Sequence, residues 1–364
     1  MRVELTISER IELPYAGDTN MAPNLNSVEL PTPPQRVAAP EVLGPNFLPL
    51  CVESVELYKL QREQRRLRGD YKPGIVIPLS EDRKRLERVY RSNGGNSSKP
   101  LDVFNITRPF RSGDKTVLAG RLQPSGMNPS SKVLFFELRS SEWTLLEHIP
   151  TVDLEDPFVT RIDDQIIFGG VSVVKTPSET KYQTAFYKGT SIETLKEFVR
   201  GPFTMKDTRL VQLMDKSIGL FTRPQGKIGG LGQIGFTTLD SLDQLTPDAI
   251  AKAPLIAQRF PEGEWGGVNE AYALTDGRIL ALGHRAYLDK ERNRHYYPWL
   301  FIHDPKKGVS EDLGIIGASD DSPKTNSRAE DLDDIIFPGG IDWRSRTLYG
   351  GIRDVAAVVL PIPS

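Results

Sequence analysis

Five acidic residues recur through the last three quarters of the chain: Asp102, Asp156, Asp207, Glu270 and Asp334. Each opens a run of short strand-like segments. Carboxylates gathered in a fold are costly unless they are paired, hydrogen-bonded or used. A gathered set suits a polyol ligand, because carboxylates accept hydrogen bonds from sugar hydroxyls. A pair of carboxyl groups with separated pKa values is also what glycosyl transfer needs. The competing role for any one of them is to cap a turn through backbone N–H groups. Five acids at one position of a repeat favour the shared site.

Cations are interleaved with these acids. Lys206 precedes Asp207, Arg223 ends a strand in Phe221-Thr-Arg-Pro-Gln-Gly226, and Arg121, His284, Arg294 and His295 fall at similar strand ends. Cations beside carboxylates allow phosphate to be held next to a sugar; the competing role for each is a salt bridge to a neighbouring acid. Gly230-Leu-Gly-Gln-Ile-Gly235 has the spacing of a dinucleotide fingerprint, but that motif must open a helix. Here strand-like Ile234–Leu239 follows, so the segment reads as a rim loop whose N–H groups can meet phosphate. Four histidines and one cysteine without close ligand spacing predict no metal site, and no cofactor is expected. There is no nucleophile elbow and no phosphate loop.

The elements that would position these residues come in sets of four. Val103–Pro109, Thr116–Leu122, Lys132–Leu138 and Trp143–Ile149 form the first set, and Phe158–Ile162, Gln165–Val174, Tyr182–Tyr187 and Leu195–Val199 the second. Thr208–Leu213, Ile218–Thr222, Gln233–Leu239 and Leu255–Phe260 form the third; Ala271–Leu274, Ile279–Tyr287, His295–Ile302 and Leu313–Ile316 the fourth. The last set has three members, Ile335–Phe337, Thr347–Ile352 and Ala356–Ile362. Recurrent four-stranded units predict an all-β fold, a five-bladed β-propeller whose inner strands carry the acids to one channel mouth. The short last blade needs a fourth strand from the amino-terminal side, and Ile75–Ile77 or Arg88–Arg91 can supply it.

Ahead of the propeller, residues 11–50 are proline-rich and read as an extended arm. Val52–Arg68 is the one predicted helix, stopped by Gly69, and its basic end reads as a solvated face. The expected division is an N-terminal extension at 1–85 and a catalytic propeller at 86–364. Forty-six basic against 48 acidic residues leave a net charge of −2, which excludes a dedicated nucleic-acid or anionic-membrane binder. Cys51 is the only cysteine, so no internal disulfide forms, and a reducing, cytoplasmic setting is expected. No signal-peptide core and no membrane-length apolar stretch is present.

A set of motifs in fixed order carries a resemblance. They are Asp102-Val-Phe-Asn-Ile-Thr107, Leu154-Glu-Asp-Pro-Phe158, Met205-Lys-Asp-Thr-Arg-Leu210 and Phe221-Thr-Arg-Pro-Gln-Gly226. Glu264-Trp-Gly-Gly-Val-Asn-Glu270, Arg294-His-Tyr-Tyr-Pro298 and Leu348-Tyr-Gly-Gly-Ile-Arg-Asp354 complete them. Across residues 86–364 the chain resembles a bacterial and protist family long described only as a domain of unknown function, which includes dual-activity β-1,2-mannosyltransferase/phosphorylases. More distantly it is similar to the bacterial β-mannoside phosphorylases, which are five-bladed propellers.

The resemblance implies inverting mannosyl transfer on β-1,2-mannose oligosaccharides, by phosphorolysis to α-mannose 1-phosphate or by synthesis from mannose 1-phosphate or GDP-mannose. It implies Asp156 as the proton donor, with Lys206 and Arg223 on phosphate; Arg121 and His284, at similar strand ends, are the further phosphate candidates. Asp354 would bind sugar in the donor subsite, and Asp102, Asn105, Asp207, Asn269 and Glu270 are the remaining sugar-binding candidates. The chain departs from the pattern at Phe158, where the mannoside phosphorylases carry arginine, and at Arg108, where a small residue is expected. The other readings are a β-mannoside hydrolase and a non-catalytic propeller that binds glycans or proteins.

Overall fold

A computed structural model describes residues 50–126, 131–175, 179–257 and 260–362. The proline-rich arm, apart from Leu50, lies outside the described residues. The chain begins with helix α1 (Leu50–Arg68), strand β1 (Ile75–Ile77) and helix α2 (Arg83–Ser92). Then come β2 (Leu101–Phe104), β3 (Phe110–Ser112), β4 (Lys115–Pro124), β5 (Lys132–Arg139) and β6 (Glu142–Leu145). The next sheet is β7 (Glu155–Ile162), β8 (Gln165–Lys175), β9 (Thr180–Gly189) and β10 (Lys196–Arg200). A three-stranded sheet follows, β11 (Arg209–Gln212), β12 (Ile218–Thr222) and β13 (Gly235–Leu239), with short helices α3 (Gly226–Gly229) and α4 (Pro247–Lys252).

The remaining strands are β14 (Glu264–Ala273), β15 (Ile279–Leu288), β16 (Arg294–Asp304), β17 (Val309–Ile315), β18 (Asp334–Asp342), β19 (Thr347–Ile352) and β20 (Ala356–Pro361). They form one eight-stranded sheet with β1. Its two antiparallel halves, β14–β17 and β18–β20, are joined only by a two-residue parallel pairing, His295 opposite Asp334 and Tyr296 opposite Ile335. The fold is therefore predominantly β, with antiparallel neighbours in sequence order.

Three predicted elements differ. Leu255–Phe260 is not a strand: one isolated bridge joins Leu255 to Gly235, and residues 258–259 lie outside the described residues. The chain before it is helical because Thr246 caps α4 through Ala249 N and Pro247 sits in its first turn, where a missing N–H costs nothing. A second helix, α2, covers 83–92 and straddles the expected boundary at 85/86, where the sequence suggested no helix beyond Val52–Arg68. Asp82 caps α2 at Arg85 N, and Leu86, Val89 and Tyr90 form its buried stripe. Arg88–Arg91 therefore lies in a helix, while Ile75–Ile77 pairs antiparallel with β20, Ile77 opposite Ala357.

The inner segments touch in succession. Asn105 donates to Asp156, the Arg209 guanidinium lies 4.2 Å from the Phe158 ring centre, and Arg209 Nε donates to Asn269 O at 2.8 Å. Asn269 Nδ2 donates to Pro338 O at 2.8 Å. Gly339 then lies so close to the Ile106 carbonyl that no Cβ fits, which returns the contacts to the first sheet.

Helix α1 is part of the packed core. Cys51, Val55 and Tyr58 join Phe221, Trp299 and Phe301 in one apolar cluster. The Glu264 carboxylate accepts from Cys51 N at 2.8 Å, so an acid on β14 meets the positive end of the helix. Lower down, buried Asp321 accepts from Tyr58 Oη (2.5 Å), Arg62 (3.3 Å), Tyr71 Oη (3.1 Å) and Ala318 N (2.8 Å). Charge-assisted hydrogen bonds of this kind contribute about 1.5–3 kcal/mol each when isolated, and less when shared by one acceptor. We expect Asp321→Ala to lower stability by about 3 kcal/mol and to open α1 to proteolysis near Arg62–Arg68. Denaturant melts with limited digestion measure both; an unchanged melt would mean that α1 is held by its apolar face alone.

Candidate active site

Asp156 stands where β7 breaks its pleat. Glu155 lies opposite Val171 and Phe158 opposite Gly169, so Asp156 and Pro157 together face Gly170. Asp156 adopts φ +49, and such a bulge re-aims side chains that would otherwise alternate. A Cβ on Gly170 would stand 2.6 Å from the Glu155 carbonyl, so only glycine permits the approach. As a result two successive carboxylates reach one guanidinium. Arg121 Nη1 is 3.0 Å from Asp156 Oδ1, and Nη2 is 3.0 Å from Glu155 Oε1. Arg121 Nε donates to Ser131 Oγ (3.1 Å), and the same Nη2 also donates to Gln123 Oε1 (2.6 Å).

Asn105, at φ +46, donates to the same Asp156 oxygen at 2.7 Å. Burial by itself would raise the Asp156 pKa, but Arg121, Lys206 and Asn105 outweigh it and hold the carboxyl below its ordinary value. Glu155 moves the other way: burial raises it, and Asp156 beside it adds to the rise against the opposing pull of Arg121. The two adjacent acids thus differ in protonation tendency.

A second cluster surrounds Asp207, which is 1% exposed and again left-handed at φ +57. Its Oδ2 accepts from Arg223 Nη1 at 3.0 Å. Burial opposes the charge, but Lys206 and Arg223 hold the Asp207 carboxyl far below the usual range. Arg223 also donates to Gly266 O (2.8 Å) and Leu231 O (3.3 Å), so its fork is already engaged. Lys206 is different. Among the described residues no carboxylate lies within 4 Å of its ammonium, yet nearby Asp207 keeps it charged despite burial. Its partner is a field rather than a contact.

His284 is buried, with Nδ1 2.8 Å from Asn269 Oδ1. Burial lowers its pKa to about 3, against the pull of Asp207, so near neutral pH it is uncharged, and its N–H is spent on Asn269 Oδ1. Asp354 sits at the β19–β20 turn, where Arg353 and Asp354 both have positive φ (51 and 53) and Val355 N reaches Ile352 O at 3.1 Å. That turn normally takes Asn-Gly; two larger residues in it are strained, a common mark of a functional position. Burial raises Asp354, with Arg121 its nearest opposing influence.

The other sequence candidates are committed elsewhere. Glu270 binds Arg108, Tyr272 Oη and Ile341 N through its two oxygens, and burial raises its pKa. Asp102 accepts from Ser125 (2.8 Å) and Arg328 (3.3 Å). Asp334 is bound by Ser319, His295 and Tyr297, and Arg294 pairs with Asp331 at 2.7 Å. The expected convergence of all five acids therefore holds for Asp156 and Asp207, with Glu270 near Arg209, whereas Asp102 and Asp334 serve the frame.

A cavity of about 460 Å³ opens over these clusters, walled by Glu155, Lys206, Arg223, Tyr182, Trp265 and Tyr296. Trp265 Nε1 donates to Tyr296 Oη at 3.2 Å, and His284 stacks on Tyr296. Sequence reasoning missed Glu155 and the three aromatics, although each lies in a quoted motif or beside a strand end. The rim loop after Arg223 is fixed through Leu231 O, and Tyr182 Oη donates to Gln225 Oε1 at 2.8 Å. A strand follows that loop, so it is no dinucleotide turn. Among the described residues there is no cluster of three metal-ligating side chains, and no helix is long and apolar enough to cross a membrane.

A family model described as "Protein of unknown function (DUF1861)" matches residues 93–364. No curated protein sequence matches the chain. Among solved structures, a mannose phosphorylase from Leishmania mexicana in complex with phosphate is 29% identical, with a TM-score of 0.69, over 85% of this chain and 94% of that one. A GDP-Man-dependent mannosyltransferase from the same organism is 28% identical, with a TM-score of 0.70, over 83% and 93%. A hypothetical protein from Leishmania major gives 28% and 0.66, over 84% and 94%.

The Asp207 cluster makes a stability prediction of its own. Asp207→Asn keeps the shape and strands the charges of Arg223, Arg209 and Lys206. Removing one partner of a buried pair costs about 3–5 kcal/mol, so the urea midpoint should fall with the slope unchanged. A midpoint within error of the parent would show that these cations find other compensation.

Proposed function

We propose, for a chain that belongs to the DUF1861 family of proteins of unknown function, inverting mannosyl transfer on β-1,2-mannose oligosaccharides. The reading covers phosphorolysis to α-mannose 1-phosphate and the reverse synthesis from mannose 1-phosphate or GDP-mannose. It includes a five-bladed propeller at 86–364 behind an N-terminal extension at 1–85, supported by the succession of inner contacts and by β1 pairing with β20. The observation that carries it is the charge pattern at the cavity. An ion-unpaired Lys206 stands beside Arg223, next to an ionised Asp156 held by Arg121 and Asn105.

In synthesis the ionised Asp156 takes the proton of the acceptor hydroxyl while the sugar anomeric carbon leaves phosphate. In breakdown the same group, protonated, gives its proton to the glycosidic oxygen as phosphate attacks the opposite face. Phosphate on Lys206 draws off part of the field that holds Asp156 ionised, so binding of the co-substrate raises the Asp156 pKa and prepares it as an acid. Lys206 is the principal anion ligand, with the charge of Arg223 in support, while His284 is held through Asn269. Arg121, whose fork is taken by Glu155 and Asp156, positions those acids instead of contacting phosphate. Asp354 and Asn105 are assigned to the sugar, and the Trp265 and Tyr182 rings that wall the cavity offer stacking surface for pyranose faces.

Asp156→Asn should remain folded, still bind oligomannoside, and lose about a hundred-fold or more in rate in both directions, as removal of a general acid–base does. Mannose 1-phosphate release and chain extension are the assays. Near-normal turnover in either direction would remove Asp156 from the mechanism; free mannose as the product would identify a hydrolase, and binding without turnover a glycan-binding protein.

Lys206→Ala is a cleaner anion test than a change at Arg223, because no ion pair is broken. The KM for phosphate should rise ten-fold or more, by loss of one charge-assisted contact worth about 1.5–3 kcal/mol, while the oligomannoside KM stays close to the parent; thermal melting checks the fold, because Asp207 loses part of its compensation. An unchanged phosphate KM would move the anion site elsewhere.

A further inference from the structure

Glu155 has no part in the chemistry above, yet its side chain forms part of the wall that carries Lys206 and Arg223. A fixed negative charge there opposes any dianion that enters. We infer that the anion enters this cavity together with a proton, which settles on the Glu155 carboxyl and makes that residue the pH-dependent selector of the co-substrate site. The inference rests on the anion reading of the cavity given above.

The surroundings of Glu155 single it out as the acceptor. From β4, Arg121 Nη2 reaches it at 3.0 Å, but the same nitrogen donates to Gln123 Oε1 at 2.6 Å, so Glu155 holds only a share of it. Ser131, ahead of β5, approaches Glu155 Oε1 at 3.3 Å. Lys206, ahead of β11, and Arg328 act through space, and Asp156 repels from the next position. The other two carboxylates of the cluster are held far more firmly. Asp156 has Arg121 Nη1 and Asn105 on one oxygen; Asp207 has Arg223 in direct contact and Lys206 close by. Burial has already moved Glu155 toward its protonated form. A dianion on Lys206 would withdraw the cation that still favours the ionised form and add repulsion, and both push in one direction.

The sign of the pH dependence follows. Below the raised Glu155 pKa of the free protein, the carboxyl is already neutral and binding takes up no proton. Between that value and the still higher value of the complex, each anion brings a proton, and affinity falls with pH. One proton per anion corresponds to about ten-fold in Kd per pH unit. Above both values the affinity levels off at its weakest.

Sulfate is the probe, because it stays fully ionised where phosphate itself titrates. Calorimetric titrations of the full chain, from pH 5 to 8 in buffers of different ionisation enthalpy, count the protons. The expected result is uptake approaching one proton per sulfate in the window above the ordinary carboxylate range. Glu155→Gln should bind at least as tightly as the parent, without proton uptake and with a flat pH profile, and thermal melting checks its fold. Uptake that persists in Glu155→Gln, or parent binding without uptake at any pH, overturns the inference while leaving the anion site standing. No binding of sulfate or phosphate at any pH overturns the anion reading, and the inference with it.

Discussion

The interior of this protein depends on backbone turned against its usual hand. Asn105, Asp156 and Asp207 all adopt positive φ, and each delivers a polar side chain to a buried partner on another segment. Non-glycine residues in that region cost about 1–3 kcal/mol each and persist only where their surroundings over-determine them. Here the surroundings are arginines. Arg121 and Arg223 each meet a carboxylate so presented, and Arg209 crosses from one sheet to the Asn269 carbonyl of another. Buried guanidinium groups are costly without such acceptors. Strained backbone and buried charge therefore require each other.

That mutual requirement divides the charged residues into two populations. Arg121, Arg209, Arg223, Glu264 and Glu270 have their polar atoms bound within the protein and set geometry. Lys206, Asp354 and Glu155 keep incomplete or field-only compensation. The division falls along residue chemistry. The planar guanidinium fork suits fixed multidentate frames, while a lysine ammonium can wait as a point charge. An active centre built this way changes protonation at its loosely held members while the frame stays in place.

Much of this arrangement was legible in the sequence. Period-two runs located most strands within a few residues, and the Glu-Asp-Pro and Lys-Asp motifs marked the two residues that anchor the clusters. What misled was the repeat position. Asp102 and Asp334 match Asp156 and Asp207 in residue type, but the segments that enter the interior are marked by Asn105 and by the bulges at Asn269 and Gly339. Asn105 shares its positive φ with Asp156 and Asp207, and Asn269 and Gly339 share a register shift with the Asp156 segment, so the common feature is a break in the strand and not a charge. Helix α2 escaped notice because Arg83, Lys84, Arg85, Glu87, Arg88 and Arg91 crowd its ten residues, hiding the stripe of Leu86, Val89 and Tyr90. The strand expected at Leu255–Phe260 reduces, among the described residues, to a single bridge between Leu255 and Gly235.

The pairing of β1 with β20 bears on how the molecule is made. Strand β1 leaves the ribosome long before its partner, Ala357 to Val359. Until then β1 is an unpaired edge with Ile75 exposed, and the intervening sheets must assemble from local hairpins while the seam stays open. Non-local closure of this kind is slow relative to hairpin formation and leaves a sticky edge during the wait. The sequence between them is suited to that order of events, because each antiparallel sheet is built from neighbouring strands and waits on no distant partner. Premature termination anywhere before residue 356 would leave the chain with well-formed hairpins and no seam, a product for proteases and chaperones rather than a weakened enzyme.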